Sequence, residues 1–278
     1  MEQGSIQRDE MQATDVASFL SKVQMPTVQH LLTGSLDSIR ASICAISPEQ
    51  NSQQWVALHM VLGTALRLRA PFMNEQERTG ACAEAIRAFE RALAECCEHS
   101  PSRSLRSARV GSNQFSLQTN GYAPGPDGVQ MVVDATTVPL ADGIEMLECA
   151  IGVFQETASS ADPKTDPRTW ITARSNLGCA LTLLGRRMPG LSGLSHIEEA
   201  IEVLTEAAFG CSGNDLQEER ASAYVNLSEA HQALSERALP TERLRHIERS
   251  LDWMAAALGF FAPLEYQGLL QLDRAGFA

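Results

Sequence analysis

One short helix is written five times in this chain. Ser38-Ile39 leads to Ala45, Ala85-Ile86 to Ala92, Gly143-Ile144 to Ala150, Ala200-Ile201 to Ala207, and Ser250-Leu251 to Ala257. Each copy has a small residue, an apolar neighbour, and a second small residue two helical turns on. Four copies place a bulky apolar residue between the small ones: Phe89, Leu147, Leu204 and Met254. Small residues two turns apart let another helix approach closely, and the large one fills the gap between them. A unit of this kind cannot bury its apolar face alone, so its recurrence predicts a stacked helical array.

The composition fits such an array. Aromatic residues make up 5% of the 278, which suits packing by Leu, Ile and Ala. The net charge of −12 is opposite in sign to that of a nucleic-acid binder and sets that class aside. Cys44, Cys82, Cys96, Cys97, Cys149, Cys179 and Cys211 form no CxxC pair. Most lie in apolar helical patterns, and they read as the reduced thiols of a cytosolic protein. The start of the chain has no apolar stretch of signal-peptide type, and no run reaches the ~18 residues of a membrane span. A cytoplasmic location is expected.

Along the chain, residues 1–12 read as disordered. Thr14 can cap a helix that ends before Pro26, and a second helix is expected from about 27 to 46. Trp55, Leu58, Leu62, Ala65 and Leu66 make one apolar stripe; Ala85, Ile86, Phe89, Ala92 and Leu93 make the next, with Pro71 breaking the chain between them. The pattern lapses over 100–137. There, Ser- and Arg-rich sequence leads into Gly121–Gly128, which is dense in turn residues. The flanks Gln114–Leu117 and Val129–Val133 fit either a small β-hairpin or a flexible surface insertion. Helical period returns at Leu140 and closes in a capping helix at about 264–277. Asp166-Pro167 opens a helix whose stripe is Trp170, Ala173, Leu177, Ala180, Leu181 and Leu184.

The last two units align without a gap. Asn176-Leu177 recurs as Asn226-Leu227, Leu184 as Leu234, Arg187 as Arg237, and His196-Ile197-Glu198 as His246-Ile247-Glu248. Every pair is separated by 50 positions, across both helices and the loop.

The first helix of a unit reads Trp170-x6-Leu177-Gly178-x-Ala180-Leu181, and an earlier copy reads Trp55-x6-Leu62-Gly63-x-Ala65-Leu66. The second helix carries Ala200, Leu204 and Ala207. This pattern resembles the tetratricopeptide repeat, well over 53–98 and 139–260 and weakly over 14–47. The resemblance implies an all-α, right-handed superhelical solenoid of antiparallel helix pairs, a single domain over 13–278. The units here run near 50 residues against the family's 34. The third unit has a second helix, while the insertion stands in place of its first. The proline that usually closes each unit is mostly absent.

Such arrays present the inner faces of their first helices as a concave groove for a peptide or partner protein. Carried onto this sequence, the groove positions are Thr64, Arg67, Ser175, Cys179, Thr182, Ser222, Glu229 and Gln232, with Asn176 and Asn226 beside them. An asparagine there can bond a peptide backbone or a neighbouring helix. The near absence of lysine and the presence of Glu229 argue against the carboxylate clamp found in part of the family. His196-x-x-Glu199 has ligand-like spacing, but its second copy ends in Arg249, so no metal is expected. No GxSxG, HExxH, P-loop or dinucleotide fingerprint occurs, and no nucleophile is paired with a base. The expectation is a scaffold or adaptor that binds a basic or neutral protein or peptide, without cofactor, nucleic acid, membrane or turnover. The alternative is a small-molecule-binding or catalytic helical protein that encloses its ligand between insertion and superhelix.

Overall fold

The computed structural model of the protein describes residues 36–98, 105–110, 113–118, 126–211 and 216–262. Among them are nine α-helices, a 3-10 turn and one two-stranded hairpin: α1 Leu36–Cys44, α2 Pro48–Arg69, the turn Ala70–Phe72, α3 Glu75–Glu98, β1 Leu105–Val110, β2 Asn113–Gln118, α4 Pro126–Ala135, α5 Leu140–Ser160, α6 Pro167–Arg187, α7 Gly190–Phe209, α8 Gln217–Arg237 and α9 Pro240–Phe261. The all-helical expectation therefore holds apart from the hairpin. No helix of the described residues is long and apolar enough to cross a membrane. The expected N-terminal helix before Pro26, the disordered start and the capping helix at 264–277 lie outside the described residues.

The chain divides into two compact units, one of residues 1–99 and 261–278, the other of 100–260. In the first, α2 packs against both α1 and α3. Ile39 of α1 is fully buried, and Arg40 holds Glu84 of α3 through two contacts of 2.8 Å. The helix α2 opens with Pro48 at its first turn, where the missing N–H costs nothing; Gln50 reaches back to the Ser47 N–H at 3.1 Å. Pro71 ends it in the short 3-10 turn.

In the second unit, α4 packs on α5, α5 on α6, α6 on α7 and α7 on α8, while α6 and α8 also touch directly. Asp166 caps α6 by accepting the Thr169 N–H at 3.3 Å, with Pro167 following. The side chains of α8 reach α9 through a 2.8 Å contact between Ser228 and Ser250 and through stacked Tyr224 and Trp253 rings. Phe209 and Phe260 complete that aromatic group, which ties α7, α8 and α9.

One kind of contact sets the spacing of three helix pairs. A Cβ placed on Gly178 of α6 would lie 2.3 Å from Leu204 Cγ on α7. In the first unit the same holds for Gly63 of α2 under Phe89 of α3, at 2.4 Å. Gly128 of α4 meets Phe154 of α5, at 3.0 Å. Phe89, Phe154 and Leu204 each stand 26 positions after their glycine. Two expectations are corrected here. The third unit has its first helix after all: α4 is that helix, reduced to its last turns, so Val129–Val133 is helical and not a strand. Its second helix is also read seven residues too early in the sequence: Phe154, and not Leu147, is the counterpart of Leu204, while the buried Leu147 matches Ile197. The hairpin exists, but it pairs Leu105–Val110 with Asn113–Gln118.

A second repeated contact joins successive units. Arg237, at the end of α8, donates to the carbonyl oxygens of Arg186 at 3.1 Å and Met188 at 3.0 Å, satisfying the free C-terminal end of α6. It passes so close to Gly193 that a Cβ there would meet it. Arg187 passes Gly143 in the same way, 50 positions earlier.

Candidate functional site

The residues expected to line a groove are mostly inside the molecule. Ser175, Cys179, Thr182, Ser222, Asn226 and Glu229 are each 0% exposed, and Asn176 is 3% exposed. Only Gln232 and Arg67 are half-buried. Thr64 is buried on α2 of the first unit, where Arg67 also lies.

The geometry explains the burial. Asn226 on α8 donates from Nδ2 to the Ser175 carbonyl at 3.2 Å and lies 3.1 Å from Ser175 Oγ on α6. Arg186, near the end of α6, lies 3.4 Å from Glu229 Oε2 and 3.1 Å from Glu236 Oε1, both on α8. Glu229 and its burial together push the Cys179 thiol upward, burial being the larger cause. Thr182 turns its hydroxyl back to the Gly178 carbonyl at 2.8 Å. The polar positions thus form a seam between two parallel-stacked first helices. This seam buries a carboxylate and an amide, with a guanidinium at its edge.

That is an expensive place for a charge. A buried carboxylate stripped of water costs several kcal/mol unless well paired, and removing its partner leaves the cost uncompensated. The helices here accept it through Arg186, itself 18% exposed at the edge of the seam. The backbone of β2 lies against both α6 and α8, the two helices that make the seam.

A histidine pair joins the same helix to α9. His231 of α8 and His246 of α9 bring their Nδ1 atoms to 3.4 Å, with rings inclined by 27°. Burial pushes the His231 pKa down to about 3, helped by His246 and Arg249. Burial likewise lowers that of His246, with Arg249 beside it. Burial thus favours the neutral form of both rings. The sequence hints at this only through contrast, since the buried Leu181 stands 50 positions before His231.

Other candidates stay apart. His196 and Glu199 are 3.9 Å apart and partly exposed. Among the described residues no group of three or more His, Cys, Asp or Glu is placed to hold a metal ion. Six described cysteines are free thiols, three of them buried. Comparison of the chain with family models, curated proteins and solved structures finds no match.

Proposed function

We propose that this protein is an interaction scaffold of the tetratricopeptide-like kind, and that it takes an extended peptide on the face formed by α6 and α8. The carrying observation is the seam itself. Two first helices, related by a 50-residue repeat, share a polar contact line that buries Glu229 and pairs it with Arg186 at the edge, and an extended segment already lies against both. A seam evolved only for packing is better filled by apolar side chains, which avoid the desolvation cost of an ion pair. The repeat of helix pairs supports a solenoid, because neighbours contact mainly neighbours. The negative balance of the chain favours a basic or neutral partner, held more weakly as salt rises.

The test is a peptide library displayed against the purified protein, followed by photo-crosslinking of the selected peptides. The reading expects crosslinks on α6 and α8, and weaker binding by Glu229→Gln for arginine-bearing peptides. Crosslinks confined to other helices would overturn the choice of face. Turnover of a metabolite by the purified protein alone would replace the scaffold with the enclosed-ligand alternative.

A further inference from the structure

We infer that the protein pairs with a second copy of itself along the edge formed by the α4–α5, α6–α7 and α8–α9 turns, the two edges running antiparallel about a two-fold axis at Leu191. The inference stands independently of the peptide site.

Contacts set the order of the three turns. Arg187, in the middle turn, passes Gly143 in the first, and Arg237, in the third, donates to the Met188 carbonyl in the middle one at 3.0 Å. Along this row Leu140 is 59% exposed, Leu191 83% and Leu239 68%. Val133, in the last turn of α4, adds a fourth exposed apolar side chain. Among the described residues of the second unit, the other exposed large hydrophobic is Phe209, at the far end of α7. A single exposed leucine needs no explanation, whereas one at each successive turn makes a continuous apolar line. The turns also lack the usual polar helix starts. Pro139 and Pro189 hold the caps of α5 and α7, where neither offers a side-chain oxygen to the free N–H groups. At the opposite end of α6, by contrast, Asp166 provides one.

Charge names the occupant. The α4–α5 turn carries Asp134 and Asp142, and no Lys or Arg occurs from 110 to 163; Arg187 reaches this end from the next turn. At the α8–α9 turn, Arg243 and Arg245 are exposed, and neither forms an ion pair among the described residues. Glu242 lies beside them, while Glu236 is held by Arg186 and Arg237 by the end of α6. The row is therefore acidic at one end and basic at the other. A two-fold axis through the middle turn sets Leu191 against its own copy and Leu140 against Leu239 of the other copy. It also brings Asp134 and Asp142 to Arg243 and Arg245 of that copy. Such a surface is self-complementary, as a closed dimer requires, whereas an axis along the row would face like charges. Its size is adequate: 28 residues of 133–143, 185–195 and 235–245 reach the surface, against about 20–30 a side in a standard interface.

Sedimentation velocity of the full chain over about 1–100 μM tests this. A species of twice the 30.2 kDa chain mass is expected. Leu191→Asp, which places two carboxylates on the axis, should weaken association at least about 100-fold with the far-UV circular dichroism unchanged. Arg243→Glu with Arg245→Glu should weaken it at least about tenfold, and adding Asp142→Arg to that pair should restore it to within about threefold. Phe209→Asp should leave it unaltered.

A monomer at every concentration overturns the inference, and so does a dimer indifferent to Leu191→Asp. Failure of Asp142→Arg to rescue the double variant overturns the antiparallel arrangement and the inference with it. Growth beyond the dimer means an open, head-to-tail contact and overturns it as well. A monomer that pellets with anionic phosphatidylserine vesicles, and ceases to do so on Leu191→Asp, would give the leucine row to a lipid surface instead.

Discussion

At the scale of single residues, the decisive contacts are between something small and something large. Leu204 fills the space that Gly178 leaves open, and it is fully buried. Leu204→Ala should lower stability by ~2–5 kcal/mol through the cavity left between α6 and α7. Gly178→Ala should cost ~1–3 kcal/mol by overpacking, since its new methyl would press on the leucine. Combining the two should cost less than the sum, because the smaller side chain makes room for the methyl. Urea denaturation of the three variants checks this, and strict additivity would show that the residues do not face one another. His231 gives a second test at this scale. Its folded pKa of about 3 lies below the ordinary value of 6.5, so the unfolded chain binds the proton more readily between those values. The stability due to the neutral ring is complete above pH ~6.5 and is lost as pH falls toward 3, with a slope of at most about 1.4 kcal/mol per pH unit from this group. His231→Leu, which copies Leu181 of the preceding unit, should flatten that part of the pH profile. An unchanged acid slope would assign the loss to carboxylates instead.

At the scale of elements, the arginine that closes one helix against the next unit explains a pattern that residue types alone do not. Gly143 and Gly193 stand where Arg187 and Arg237 pass, and the same position in α9 is the exposed Arg243. The pair of α8 and α9 thus has no glycine at that position. Arg237→Ala should cost ~1–3 kcal/mol, since two carbonyl oxygens at the end of α6 lose a charged donor. Glu236→Ala, which removes an exposed partner of Arg186, should change stability by less than ~0.5 kcal/mol. Thermal unfolding of the pair separates a helix-end contact from general surface charge. The elements also show what was legible beforehand. The 50-residue offset fixed both helices of the last two units, down to Asn176 and Asn226, because helical period and small residues survive intact there. The third unit escaped because its first helix keeps only the turns after Pro126, too few for a stripe, so Gly128 and Phe154 do not stand out as a pair and the flank at 129–133 fits a strand or a flexible insertion equally. The polar positions were correctly placed on first helices, but their exposure was not readable. Ser175, Asn226 and Glu229 have the composition of a surface, and only the direct approach of α6 to α8 turns that surface inward.

At the scale of the whole molecule, the two compact units and the three tryptophans make a built-in report on how the chain holds together. Trp55 belongs to α2 in the first unit, whereas Trp170 and Trp253 belong to α6 and α9. In a repeat architecture stability is a sum of local terms and contacts with neighbours, so damage to one pair weakens that pair first. Phe89 is fully buried against Gly63, within the first unit. Phe89→Ala should remove ~3–5 kcal/mol from the unit that contains it. Measured in a Trp170→Phe, Trp253→Phe background, the Trp55 fluorescence should show its urea midpoint falling sharply. Measured in a Trp55→Phe background, the other two tryptophans should report a loss below ~0.5 kcal/mol, the spread expected of independent sites. If both reporters fall together, the array is a single cooperative block. Its energetics would then be those of one compact domain, and the loss from Phe89→Ala would be shared by every helix pair.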